Sequence, residues 1–164
     1  MKFAVTLLLL VVASSTFSQS GGPKPRPAPP HKITAIKALL FYSDKGSFSR
    51  DVLAKPDFTL WNTIIGEGDA EGPSDAMLVL VEVTGSPSPN EPSPRRAVEF
   101  TAVASGKILL KRTKEIDLFG EDGKFYAPFW LYETGCHPVK LTARISGQAK
   151  PSSLSKTVPF ACGE

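Results

Sequence analysis

The sequence predicts an all-β protein, an antiparallel β-sandwich of about seven or eight strands closed by one disulfide. Three observations carry this expectation. From Lys32 onward, short apolar runs alternate with clusters of Gly, Pro, Ser, Asp and Asn, the spacing expected of strands joined by turns. No stretch keeps a 3.6-residue apolar period for three turns, so no long amphipathic helix is indicated. Only two cysteines occur, Cys136 and Cys162, both in this strand-rich part.

The chain begins differently. Lys2 precedes a run from Phe3 to Ala13 that is almost wholly apolar, followed by the small and polar Ser14-Ser15-Thr16-Phe17-Ser18-Gln19-Ser20. That order of charge, apolar run and small residues is expected of a signal peptide over residues 1–18, cut somewhere between 15 and 20. The apolar run is shorter than the roughly 20 residues that span a bilayer. No Cys follows it to carry a lipid, and no second span occurs, so the mature chain is expected to be soluble and secreted or periplasmic. Residues 19–32 are rich in Pro and lack apolar periodicity, as a semi-rigid polyproline tether would. The sandwich domain is expected over 33–164.

Candidate strands follow in order at 33–42, 57–65, 76–84, 96–104, 107–116, 124–132, 138–146 and 154–162. The run Met77–Val83 is apolar on both faces apart from Glu82, which marks a central strand. Pro128 and Pro159 lack an N–H, so their strands belong at edges or bulges. The segment 86–95 reads as a Pro-rich surface loop.

Two hairpins can be placed in register. A turn at Ser105-Gly106 sets Ala104 opposite Lys107 and Glu99 opposite Arg112. In the last hairpin, pairing Val139 with Phe160, Leu141 with Val158 and Ile145 with Leu154 keeps the apolar set on one face. Cys136 and Cys162 then miss direct opposition by one residue, which a bulge near Pro138 or Pro159 would absorb. In an oxidising compartment the two are expected to be joined, contributing roughly 3–4 kcal/mol. Strand count and disulfide together resemble an immunoglobulin-like or fibronectin-III-like architecture. The two cysteines both lie in the last hairpin, so the distant Cys…Trp…Cys pattern of true immunoglobulin domains is absent.

Charge narrows the function classes. The chain carries a formal +3, but Lys2, Lys24, Arg26 and Lys32 precede the domain. From Ile33 onward, 15 basic residues face 16 acidic ones, a net −1 that gives no footprint for nucleic acid.

Two segments are candidate sites. In Gly66–Asp75, oxygen-bearing Glu67, Asp69 and Glu71 alternate, then come Gly72 and Asp75, a spacing that resembles the first part of an EF-hand calcium loop. Leu78 stands where that loop needs a bidentate Glu, so a solvated acidic loop is the leading expectation and Ca²⁺ the alternative. In the second segment, Tyr126, Trp130 and Tyr132 share one face of a strand, with Phe125, Phe129 and Leu131 on the other. Exposed, the first face could stack on a sugar or another flat ligand. Core packing is the leading expectation there, as it is for Trp61.

No catalytic residues are assigned. His137 is the one histidine of the domain, no G-x-S-x-G elbow presents a serine, and no Gly-rich loop suits a phosphate. The expectation is a non-enzymatic exported module without a cofactor, binding an unknown protein or glycan or serving a structural role. A calcium- or carbohydrate-binding adhesive module is the alternative, and a secreted hydrolase with a carboxylate pair is a more remote one.

Overall fold

The computed structural model describes residues 30–55, 59–61, 67–85, 96–117 and 119–162, and every regular element among them is a strand. In chain order these are β1 (Lys32–Tyr42), β2 (Ser47–Phe48), β3 (Leu60–Trp61), β4 (Glu67–Gly68), β5 (Ala76–Thr84) and β6 (Ala97–Ala104). There follow β7 (Lys107–Glu115), β8 (Lys124–Tyr132), β9 (Val139–Ser146), β10 (Ser153–Val158) and β11 (Phe160–Ala161). Two four-stranded antiparallel sheets result, in the orders β2-β1-β5-β8 and β10-β9-β6-β7. A small third sheet, β11-β3-β4, pairs β11 with β3 in parallel.

Alternation decides what lies between the layers. The inward residues of the first sheet include Ile36, Leu40, Val79, Val81, Phe129 and Leu131, and those of the second include Val98, Phe100, Leu141 and Ile145. The rings of Phe100 and Phe129 stack across the layers, with centroids 4.5 Å apart and planes 14° from parallel. β5 is central in its sheet and β8, with Pro128, is at the edge. The outer edge of β1 is covered by residues 49–52, which run back along it from β2. Ser49 and Val52 donate their N–H groups to the Leu40 and Ala38 carbonyls, and the Asp51 carboxylate accepts from the Ala38 N–H at 3.0 Å.

Both hairpin registers differ from the sequence expectation. Ala104 does oppose Lys107, but a bulge opposite Ala102/Val103 shifts the remainder by one, so Glu99 faces Thr113 and Phe100 faces Arg112. In the last hairpin, Val139 pairs with Val158 and Leu141 with Lys156, a slip of two residues. An even slip leaves every side chain on its expected face. The turn, two residues shorter than expected, is held by the Ile145 N–H donating to the Ser152 carbonyl at 2.8 Å. Pro159 ends β10, and Phe160 crosses to β3 instead of pairing with Val139. Cys136 and Cys162 are joined just beyond the open end of this hairpin, with Cα atoms 4.7 Å apart.

His31, expected in the tether, is buried. Its ring packs edge-on against Phe119 at 5.0 Å and lies so close to Gly85 that any Cβ there would collide with it. Its N–H donates to Gln148 Oε1, and Gln148 Nε2 donates back to its carbonyl, both at 3.0 Å. The Ile33 N–H likewise donates to the Ser152 hydroxyl, so the start of β1 is clamped to the β9–β10 connection of the other layer. The 86–95 segment and most of the expected 57–65 strand lie outside the described residues.

Candidate functional site

The outward face of the first sheet is a series of ranks that run across it. Register places Phe48, Phe41, Ala76 and Tyr132 in one rank, and Leu39, Leu78 and Trp130 in the next. Then come Lys37, Leu80 and Pro128, followed by Ala35, Glu82 and Tyr126. The face therefore changes along the strands from aromatic to aliphatic to charged.

Alternation on β8 is complete. Phe125, Ala127, Phe129 and Leu131 go inward, while Tyr126, Trp130 and Tyr132 go outward, 41%, 38% and 65% exposed. Core packing, the leading expectation for these three, is thus overturned. The tyrosine hydroxyls favour this choice, since outward they reach water or a polar partner. Trp130 and Tyr132 lie nearly parallel, 15° between planes and 6.3 Å between centroids. Phe41 meets Trp130 edge-on at 5.8 Å, and Phe48 tilts against both. Phe48 is itself 43% exposed. These four rings form one cluster at the end of the sheet where β1 turns into β2.

At the charged end sits Glu82, the polar exception in the central strand. Its carboxylate accepts hydrogen bonds from the Thr34 hydroxyl at 2.8 Å and the Tyr126 hydroxyl at 3.1 Å. Lys37 and Lys124 flank it, each 3.7 Å from Oε2. The bulge between Ile33 and Ala35 is what turns Thr34 toward it. The Thr34 hydrogen bond foremost, then that from Tyr126 and the fields of Lys124 and Lys37, outweigh burial and hold the Glu82 carboxyl below its ordinary value. A carboxylate kept ionised in this way suits an anchor for its neighbours; a general acid needs the opposite shift. Lys37 also lies over the Tyr126 ring, 5.6 Å from its centre.

The acidic loop is engaged in local structure. Asp69 Oδ2 accepts from the Thr59 N–H at 2.7 Å, and the Asp69 N–H donates to the Thr59 carbonyl. The Glu71 carbonyl accepts from Lys45 Nζ, and its N–H donates to the Tyr42 hydroxyl. The Asp75 carbonyl accepts from the Glu133 N–H. Among the described residues, the carboxylates of Asp69, Glu71 and Asp75 do not gather into a ligand cluster. The side chains of Glu67 and Trp61 lie outside the described residues. One grouping of potential ligands does occur, at Cys136, His137 and Cys162, but its two sulfurs are spent in the disulfide.

Sequence reasoning finds the three β8 aromatics but misses Phe41 and Phe48, whose place beside Trp130 depends on non-local pairing. No known protein family, characterised protein or solved structure matches this chain.

Proposed function

We propose that this chain is an exported, non-catalytic binding module whose contact surface is the outer face of the first sheet. The observation that carries the reading is the cluster of Phe41, Phe48, Trp130 and Tyr132, continued by Leu39, Leu78, Leu80 and Pro128 on the same face. Solitary exposed apolar side chains are ordinary on soluble proteins, but a contiguous aromatic surface calls for something to cover it. Aromatic rings are also the side chains that dominate binding energy at interfaces.

The disulfide fits an oxidising compartment, and among the described residues no helix is long and apolar enough to cross a membrane. Strand order supports a fibronectin-III-like arrangement. Of the seven long strands, the first, second and fifth share one layer and the other four share the second. Modules of this shape commonly serve as binding units, which agrees with the reading by analogy of fold only.

The test compares the mature chain with its Trp130→Ala/Tyr132→Ala variant in capture from native envelope or medium, and on a glycan array. A partner or glycan retained by the parent and lost by the variant supports the reading. Identical profiles for the two proteins would remove it.

A further inference from the structure

The aromatic face of the first sheet has a fitting occupant within the chain itself. We propose that the aromatic end of one copy receives the proline-rich segment 19–30 of a second copy, so that molecules join head to tail. This rests on the reading of that face as the contact surface.

The chemistry of the segment is read from its sequence. Prolines stand at 23, 25, 27, 29 and 30, with Lys24 and Arg26 between them, and no acidic residue occurs before Asp44. Such sequences favour polyproline II, whose ridges dock between Trp, Tyr and Phe side chains at small entropic cost. The aromatic cluster supplies those rings, with the small Ala76 between Phe41 and Tyr132 in their rank.

Charge selects the same end of the face. Exposed Asp44, Asp75 and Glu133 sit where β1 ends, β5 begins and β8 ends, beside the rank of Phe41 and Tyr132. Exposed Glu71 joins them through its N–H bond to Tyr42. Two basic residues stand against these four acids: exposed Arg50, two residues after Phe48, and Lys45, which donates to the Glu71 carbonyl and lies 5.3 Å from the centre of the Tyr42 ring. The opposite end of the face balances Lys32, Lys37 and Lys124 against Glu82, Glu121 and Asp122. A segment bearing Lys24 and Arg26 is therefore drawn to the aromatic end in preference to the other.

Geometry decides between the same copy and another. β1 begins at the lysine-bearing end, and nine residues of strand, about 30 Å, separate Lys32 from Phe41. The segment would have to reverse at His31, whose N–H and carbonyl are both committed to Gln148 in the other layer. Running back at about 3.1 Å per residue, it would bring Arg26 beside Lys37. A second copy meets neither obstacle. Its segment leaves from one end of the sandwich and docks at the other end of the next, a heterologous contact that does not close on itself.

The experiment is sedimentation velocity on three mature chains that retain residues 19–31. These are the parent, a segment variant (K24S/P25S/R26S/P27S) and a face variant (F48S/Y132S), whose two substituted side chains are exposed. The parent should form concentration-dependent chains that shorten at high salt. Each variant alone should be monomeric, its self-association weakened about tenfold or more. Mixed together, the two variants should form a dimer and nothing larger, since one retains only the segment and the other only the face. An excess of synthetic peptide covering residues 19–31 should dissolve the parent assemblies. A parent that stays monomeric overturns the proposal, as does association that survives the segment changes, which would indicate face-to-face pairing. Should either occur while the Trp130/Tyr132 variant still loses an external partner, the head-to-tail contact falls and the binding-module reading stands.

Discussion

The two outward faces of the sandwich come from the same kind of strand and share one core, yet they are built from different residues. The outer face of the second sheet carries Lys111 and Thr113 on β7, Glu99 and Thr101 on β6, Lys140, Thr142 and Arg144 on β9, and Ser155 and Thr157 on β10. Thr101 faces Thr142, Glu99 faces Arg144, and the Thr142 and Ser155 hydroxyls are 3.0 Å apart. Apart from Val103 and exposed Ile108, which face each other at one end, that is the alternation of an antiparallel sheet with one wet side. The outer face of the first sheet keeps such chemistry only around Glu82 and fills its other half with aromatic rings. Folding demands an apolar inner face of both sheets, but it demands nothing of the outer ones. An aromatic outer face is accordingly a surface whose composition stability does not explain.

The largest expected effect tests whether inner and outer faces of β8 are energetically distinct. Phe129 and Trp130 are adjacent in sequence and point to opposite sides. Phe129→Ala removes a buried ring stacked on Phe100 and should cost about 3–5 kcal/mol in urea unfolding. Trp130→Ala should cost less than about half of that, because its ring already meets water. Equal losses would mean that the aromatic cluster is a second core, and the contrast between faces would collapse.

Next is the staple that both sheets share. Replacing Cys136 and Cys162 together by Ser should lower stability by about 3 kcal/mol through a less restricted unfolded chain. Since the bond lies before the start of β9, in the second sheet, capture by the aromatic face should persist in whatever fraction remains folded. A folded variant that no longer binds would place the disulfide at the contact surface.

Glu82 offers a sharper test, because it is the one place where the first sheet's outer face behaves like the second's. Its pKa is lowered on folding, so its contribution is fully present above the ordinary value of 4.5 and is lost as pH falls through the lower folded value. Glu82→Gln keeps the shape but weakens the bonds from Thr34 and Tyr126 and removes the attraction to Lys37 and Lys124. It should cost about 1.5 kcal/mol at pH 7, with the gap to the parent closing in unfolding curves taken well below pH 4. A gap that stays constant with pH would show that the cost is one of packing.

How far these features can be read from sequence depends on how local their causes are. The central position of β5 is legible in its two-sided apolar run, as is the edge position of Pro128 and the alternation of β8. The side of β8 that turns inward is not, because both sides are aromatic and the decision rests on strands up to 90 residues away in the chain, Phe41 among them. The bulge in β7 is invisible for a related reason. Ile108, Leu109 and Leu110 are consecutive and apolar, so the apolar pattern scores two registers alike. The two-residue slip of the last hairpin preserves every facing, and it is fixed by Ser152 serving both Ile145 and Ile33, a contact no local pattern announces. The proline neighbours of His31 place it in the tether on sequence grounds, while its burial depends on the distant Gly85, Phe119 and Gln148.

The smallest effect on stability gives the cleanest separation of the two faces. Thr142→Val on the second sheet deletes an exposed hydroxyl contact with Ser155 and should change stability by less than about 0.5 kcal/mol. Tyr132→Thr on the first sheet removes a ring that is 65% exposed and should be similarly mild in urea unfolding. Matched in stability, the pair should differ in association: the Thr142 variant should sediment like the parent, and the Tyr132 variant should lose most of its self-association and partner capture. If both variants keep their binding, aromatic exposure on the first sheet is no more than an outer coat. If both lose it, the contact surface extends around the molecule and the two faces are not functionally distinct.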